Sequence, residues 1–190
     1  MTNVLVVGSS NTDMVVRVRK IPSPGQTVMG DDLQIFAGGK GANQAVAARR
    51  AGGEVRFVAA VGDDDFGHAA LAGFRDEGIQ TGSIEVLAGA PSGVAVIFVS
   101  DEGENCIGVA PGANNRLSRS FVESQADIFP GYSHLLVQLE IPMDTVEAVI
   151  QLAHEHGVKP ILNPAPAAAL SDDVLSKLYC ITPNESEAEL

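Results

Sequence analysis

Residues 36–45 read FAGGKGANQA, and this stretch decides the fold. A strand-like segment, Leu33 to Phe36, runs into Gly38, Gly39, Lys40 and Gly41, and an alanine-rich helical pattern follows. Glycine at a strand-to-helix turn lets backbone come close to a ligand, because no Cβ intervenes. The first N–H groups of the new helix lack intrahelical partners and lie at its positive dipole end, which favours oxygen-rich or anionic groups. Lys40 adds a full charge and three donors, and Asn43 lies one turn further on. The stretch predicts a site for a polar small molecule; a tight strand–helix connection without a ligand is the alternative. It lacks the spacing of a Walker phosphate loop, and Gly8 opens no GxGxxG dinucleotide fingerprint.

Working outward, residues 3–8 (NVLVVG) read as a buried first strand, and residues 13–19 as a second. Pro22 and Pro24-Gly25 mark a turn, and residues 27–36 are extended. A helix over 40–51 ends at Gly52-Gly53. Residues 55–61 form a strand, residues 62–65 a turn with good helix-capping residues, and a helix runs on to about Glu77. Residues 92–100 alternate, and 102–105 turn them into a hairpin with 106–110. Strand, helix, strand, helix, strand then follow over 134–139, 144–155, 158–162, 171–178 and 179–182. This alternation predicts βαβ units: a Rossmann-like, mostly parallel sheet flanked by helices. Segments 12–36 and 92–110 break the rhythm and are expected to form a small β-sheet lid on a single α/β domain over 1–190. Residues 187–190 have helix-forming character with the helix barely begun, so the sequence is expected to be incomplete at its C-terminus.

Composition narrows the function classes. The chain of 190 residues is 45% hydrophobic, with aromatics at 5% and no Trp, a mix suited to buried parallel strands. Twelve basic and twenty-four acidic residues give a net charge of −12, and no basic patch with aromatics is present, which excludes nucleic acid as an expected partner. No run reaches the length of a membrane span, and the opening residues are not expected to be a signal peptide. Cys106 and Cys180 form no CxxC pair, and His154 and His156 face different ways on a helix, so a reduced, cytoplasmic protein without a histidine metal site is expected.

Four groups could carry chemistry. Asn11 and Asp13 are two apart in extended backbone, so they project to the same side, beyond the first strand. They could clamp adjacent sugar hydroxyls, or form an Asx turn. Glu140 ends the strand HLLVQL and is either a ligand-facing carboxylate or a solvated charge. Asn184 and Glu187 have capping-box spacing, or stand near nucleotide phosphates and Mg2+.

Taken together these segments resemble the ribokinase-like family of carbohydrate kinases. The matching stretches are GSSNTD (8–13), PSPGQTV (22–28), GGKGANQAVAA (38–48), VGDDDFG (61–67), SGVAVIFV (92–99), GENCIGV (103–109), PGAN (111–114), QLEIP (138–142), LNPAPA (162–167) and ITPNESEAE (181–189). The resemblance implies ATP-dependent phosphorylation of D-ribose at its 5-hydroxyl, with a related sugar or nucleoside kinase, or a non-catalytic sugar-binding fragment, as alternatives. It implies that Asn11, Asp13, Gly39, Lys40, Asn43 and Glu140 bind the sugar, and that Ala95 and Val109 cover it. It puts Asn184 near the ATP phosphates and Glu187 near Mg2+ through water. It implies a homodimer through the lid strands, with Val94, Val96 and Phe98 suited to that contact. It also places the anion hole, the catalytic aspartate and the site for a monovalent cation (K+) beyond Leu190, so no residue of this chain is expected to be the catalytic base.

Overall fold

The computed structural model describes residues 2–189. Its larger sheet has six strands in the order β10-β9-β8-β1-β4-β5: Asn3–Val7 (β1), Glu54–Gly62 (β4), Gln80–Leu87 (β5), His134–Gln138 (β8), Lys159–Asn163 (β9) and Cys180–Ile181 (β10). Every pairing in it is parallel, as the helix–strand alternation predicts. β1 lies at its centre, between β8 and β4, and β1 and β4 read as nearly continuous apolar runs, because both of their faces are covered.

Lys40–Arg50 (α1) and Asp65–Asp76 (α2) pack on one face, where Ala42, Ala45 and Phe74 meet Val6, Val55 and Phe57. The Phe57 and Phe74 rings meet edge to face at 5.2 Å, a favourable quadrupole arrangement. Arg119–Ser124 (α3), Met143–Glu155 (α4) and Asp172–Lys177 (α5) cover the other face, with Val146, Val149 and Ile150 against Leu5, Leu135 and Val137.

The smaller sheet joins the two segments that break the rhythm. Asn11–Val18 (β2), Gln34–Gly38 (β3), Gly93–Ser100 (β6) and Asn105–Ala110 (β7) lie in the order β3-β2-β6-β7. The β6–β7 hairpin forms as expected, while β2 and β6 pair in parallel. Its register sets up one transverse row, Phe36–Asp13–Ala95–Val109, whose side chains share a face. Asn11 begins β2 on that same face, opposite Gly38 and Gly93.

Several boundaries differ from the expectations. β2 starts two residues earlier, so Asn11 is a strand residue and no Asx turn forms there. Only Gln34–Gly38 of the extended segment becomes strand; residues 27–33 contribute a lone bridge from Gly30 to Val18. β5 and α3 were not foreseen. β5 carries Gly82 and polar alternation, which weaken its strand signal, and it is the edge of the sheet beside a register shift in β4.

Asp64 ties the small sheet to the large one. Its Oδ1 accepts from the Gly67 N–H at 2.8 Å, capping α2, and from Ser92 Oγ at 2.6 Å; its Oδ2 accepts from the Ser92 N–H at 2.8 Å. Burial opposes its ionisation, but the Ser92 and Gly67 bonds and nearby His68 outweigh burial and hold the carboxyl below its ordinary range. A lowered folded-state pKa gives stability above the unfolded value that is lost as pH falls through the folded one. We therefore expect Asp64→Ala to destabilise the protein by about 1–2 kcal/mol near neutral pH. The difference should shrink in acid, as followed by chemical denaturation at several pH values.

Candidate functional site

The turn from β3 into α1 works because of two close approaches. Gly39 sits at φ +91°, and a Cβ there would stand 2.8 Å from the Asn11 nitrogen. At Gly41 a Cβ would come within 2.5 Å of the Ser9 nitrogen. Backbone of α1 thus lies against the β1–β2 connection, which only residues without side chains permit.

The helix N-terminus is already engaged, which corrects the expectation of free N–H groups. Glu140, just past β8, accepts from the Lys40 N–H at 2.9 Å and from Ser9 Oγ at 2.5 Å, both through Oε2. The Gly41 N–H donates to Ser9 Oγ at 3.3 Å and the Ala42 N–H to Ser9 O at 2.8 Å. The anion that the dipole favours is supplied by the protein itself. Glu140 Oε1 faces Lys40 Nζ at 3.6 Å, so the carboxylate binds Lys40 at both backbone and side chain.

These groups border a cavity of about 450 Å3 lined by Asn11, Lys40, Val109, Asn114, Glu140 and Glu187, among others. Asp13 lies on the transverse row of the small sheet between Phe36 and Ala95, with its carboxylate over Gly38: a Cβ at Gly38 would meet it at 2.2 Å. Burial, and then the negative charge of Glu140, push the Asp13 carboxyl above its ordinary range. Ala95 is buried and Val109 exposed on the same row. Gly39 is buried in the turn itself. Asn43 is exposed and borders a second hollow of about 710 Å3 between the small sheet, α1 and α2, which Asn11 also reaches.

Asn184 and Glu187 close on each other as a reciprocal capping box. The Asn184 N–H and Nδ2 donate to the two Glu187 oxygens at 2.9 and 3.0 Å, and the Glu187 N–H donates to Asn184 Oδ1 at 2.8 Å. Glu187 nonetheless borders the cavity, whereas Asn184 does not. Among the described residues no cluster of three or more His, Cys, Asp or Glu could hold a metal ion, and no helix is long and apolar enough to cross a membrane.

Sequence reasoning missed two buried residues. Ser9 bridges Glu140 to α1, and Asn114 bonds both Ser10 and Asn11. The GSSNTD and PGAN stretches contain them, but nothing in one-dimensional spacing links positions so far apart.

An α/β body with a small mixed sheet over one end is an architecture that comparison with known proteins places in a family. The chain belongs to the pfkB family of carbohydrate kinases, whose pattern matches residues 1–190. It is 46% identical over 186 residues to the ribokinase of Haemophilus influenzae, covering 97% of this chain and 60% of that protein. The solved ribokinase of Thermotoga maritima superposes with a TM-score of 0.90 at 34% identity, covering 100% of this chain and 61% of that one. Arabidopsis thaliana ribokinase, solved with ribose and ATP, gives 0.86 at 28% identity, covering 98% and 62%. The chain thus spans about three fifths of the length of these relatives.

The raised Asp13 pKa has a definite consequence. The folded state binds more protons than the unfolded state just above the ordinary value of 3.8, so stability falls as pH rises through that window. Asp13→Asn should therefore melt higher than the parent at neutral pH, with the gap closing in acid below the ordinary carboxylate range. Differential scanning calorimetry at several pH values measures this.

Proposed function

We propose that this chain supplies the sugar-holding part of a kinase that transfers a phosphoryl group from ATP to the 5-hydroxyl of D-ribose. The observation that carries this reading is the convergence of Asn11, Lys40, Val109 and Glu140 on one cavity. Sugar hydroxyls are heavily hydrated, so a site must replace their hydrogen bonds or lose affinity. Asp13 and Glu140 accept, the Asn11 amide and Lys40 donate, and the backbone at Gly39 and Asn43, from the neighbouring hollow that Asn11 also reaches, are assigned to the same polar set. Ala95 and Val109 give the sugar an apolar cover. The likeness to ribokinases, one of them solved with ribose and ATP, supports ribose as the substrate and ATP as the donor.

Phosphoryl transfer needs positioning, charge neutralisation and a deprotonated nucleophile. The residues assigned here do the positioning, and the small sheet acts as a lid that excludes water. No residue of this chain is assigned as the base, and none to K+; Asp13 keeps its sugar-holding role. Asn184 is assigned to the phosphate side. Glu187 offers one carboxylate at the cavity rim, which fits Mg2+ held chiefly by water and phosphate. When bound, ATP with Mg2+ supplies the phosphoryl group and neutralises its charge.

The back of the lid carries Met14, Ile35, Val94, Val96 and Phe98 in register, with Ile35 56% and Val96 44% exposed. An apolar sheet face of this kind supports self-association through the lid into a homodimer. Two free, exposed cysteines, Cys106 and Cys180, fit a reducing cytoplasm.

The test compares D-ribose, D-fructose and adenosine as acceptors with ATP. D-ribose should be used best; better use of adenosine would overturn the substrate. Asp13→Ala should weaken D-ribose binding about tenfold or more while leaving ATP binding near the parent value. An unchanged affinity for ribose, read by calorimetry, would remove Asp13 from the site.

A further inference from the structure

We infer that Asn114 is a positioning residue that fixes the Asn11 side-chain amide as a hydrogen-bond donor toward the sugar; this rests on the sugar-site reading above. Asn114 lies in the helical turn after β7 and is 1% exposed. The Ser10 N–H donates to its Oδ1 at 2.8 Å, and its Nδ2 donates to Ser10 O at 3.1 Å. A backbone N–H can only donate and a backbone carbonyl can only accept, so the two ends of the Asn114 amide are distinguished without ambiguity. The Asn114 Nδ2 then donates to the side chain of Asn11 at 2.7 Å, and the atom it meets must be the acceptor, Oδ1. The Asn11 NH2 is left without a protein partner among the described residues, at the border of the cavity. Two residues on, Asp13 presents an acceptor from the same face of β2. One vicinal hydroxyl can accept from Asn11 while its neighbour donates to Asp13.

Gly93, the first residue of β6, makes this contact possible. A Cβ there would stand 2.2 Å from both Asn11 Oδ1 and Asn114 Nδ2. The contact therefore sits at the root of the lid, where β2 and β6 start side by side.

The inference separates Asn114 from a mere buried strut. In Asn114→Asp the carboxylate still accepts from Ser10 but cannot donate to Asn11, so the Asn11 amide turns and presents its oxygen to the cavity. Protonation restores a donor, and burial raises the pKa of such a carboxyl.

The experiment measures D-ribose affinity by calorimetry, melting temperature, and the Asn11 side-chain amide NMR signals, which Asn11→Ala identifies by their loss. Asn114→Ala, Asn114→Asp and Gly93→Ala should each weaken D-ribose binding about tenfold or more and shift the Asn11 amide signals. Adding Asn114→Ala to Asn11→Ala should cause no further loss of affinity. The Asn114→Asp variant should regain affinity relative to the parent as pH is lowered from about 8 to about 5. Variants that melt lower but keep parental affinity and unmoved Asn11 signals overturn the inference. A parent protein that does not bind D-ribose overturns the sugar reading instead. The Asn11 signals then still decide the positioning, a shift in Asn114→Asp supporting it and no shift refuting it.

Discussion

The carboxylate of Glu140 is the constraint on which the site depends. It joins three pieces of chain that are distant in sequence: the end of β8, the β1–β2 connection through Ser9, and the first turn of α1 through the Lys40 N–H. A carboxylate taken partly out of water must recover its hydrogen bonds, and here Oε2 does so from one hydroxyl and one amide. The macrodipole of α1 adds to this, since a negative charge at a helix N-terminus is stabilised. Glu140 is thus held in place before any ligand arrives, and it holds the Lys40 side chain in turn. Preorganisation of this kind lets a site bind without first ordering its own groups.

The small sheet is positioned by close backbone approach as well as by side-chain bonds. Gly38, Gly39, Gly41 and Gly93 each leave room that a Cβ would fill, against Asp13, Asn11, Ser9 and the Asn11–Asn114 contact respectively. Side-chain bonds then fix what the glycines allow to meet. Asp64 and Ser92 pin the entry to β6, and Asn114 pins the start of β2. Within that frame burial, and then the charge of Glu140, hold the Asp13 carboxyl above its ordinary range, in a chain that already carries a net charge of −12. Stability alone does not favour such a pair, and perturbed carboxylates in a cleft are what functional sites contain.

Much of this was legible in the sequence, for physical reasons. The strand–helix alternation fixes a parallel sheet, and the break in it over 12–36 and 92–110 marks the second sheet, because periodicity is a local property. The glycine turn was legible because glycine between a strand and a helix has few other purposes. What escaped was non-local. Glu140 as the cap of α1 follows from a pairing of 100 positions, and Asn114 with Ser10 from one of 104. The edge strand β5 escaped because its alternating polarity and Gly82 dilute the pattern by which buried strands announce themselves. The Asn184–Glu187 capping spacing was legible, and the reciprocal bonds it predicts are formed.

The sign and order of the polar groups support the proposed polyol over an anion. An anion would be drawn to Lys40 but repelled by Asp13 and Glu140, and the Lys40 charge is already met by Glu140. The helix N-terminus, the usual anion cradle, has its first N–H groups committed to Glu140 and Ser9. Bordering the cavity are the Asn11 amide, Lys40 and Glu140, and Asp13 stands two residues from Asn11 on the same face of β2, so donors and acceptors are carried side by side on rigid elements. A hydroxyl donates one bond and accepts others, so neighbouring hydroxyls on a sugar ring meet such an alternation group by group. The same alternation makes the orientation of one amide consequential, because a turned Asn11 would offer an acceptor beside the acceptor Asp13. Burying Asn114 behind Asn11 keeps that order fixed, at the point where the small sheet joins the body of the protein.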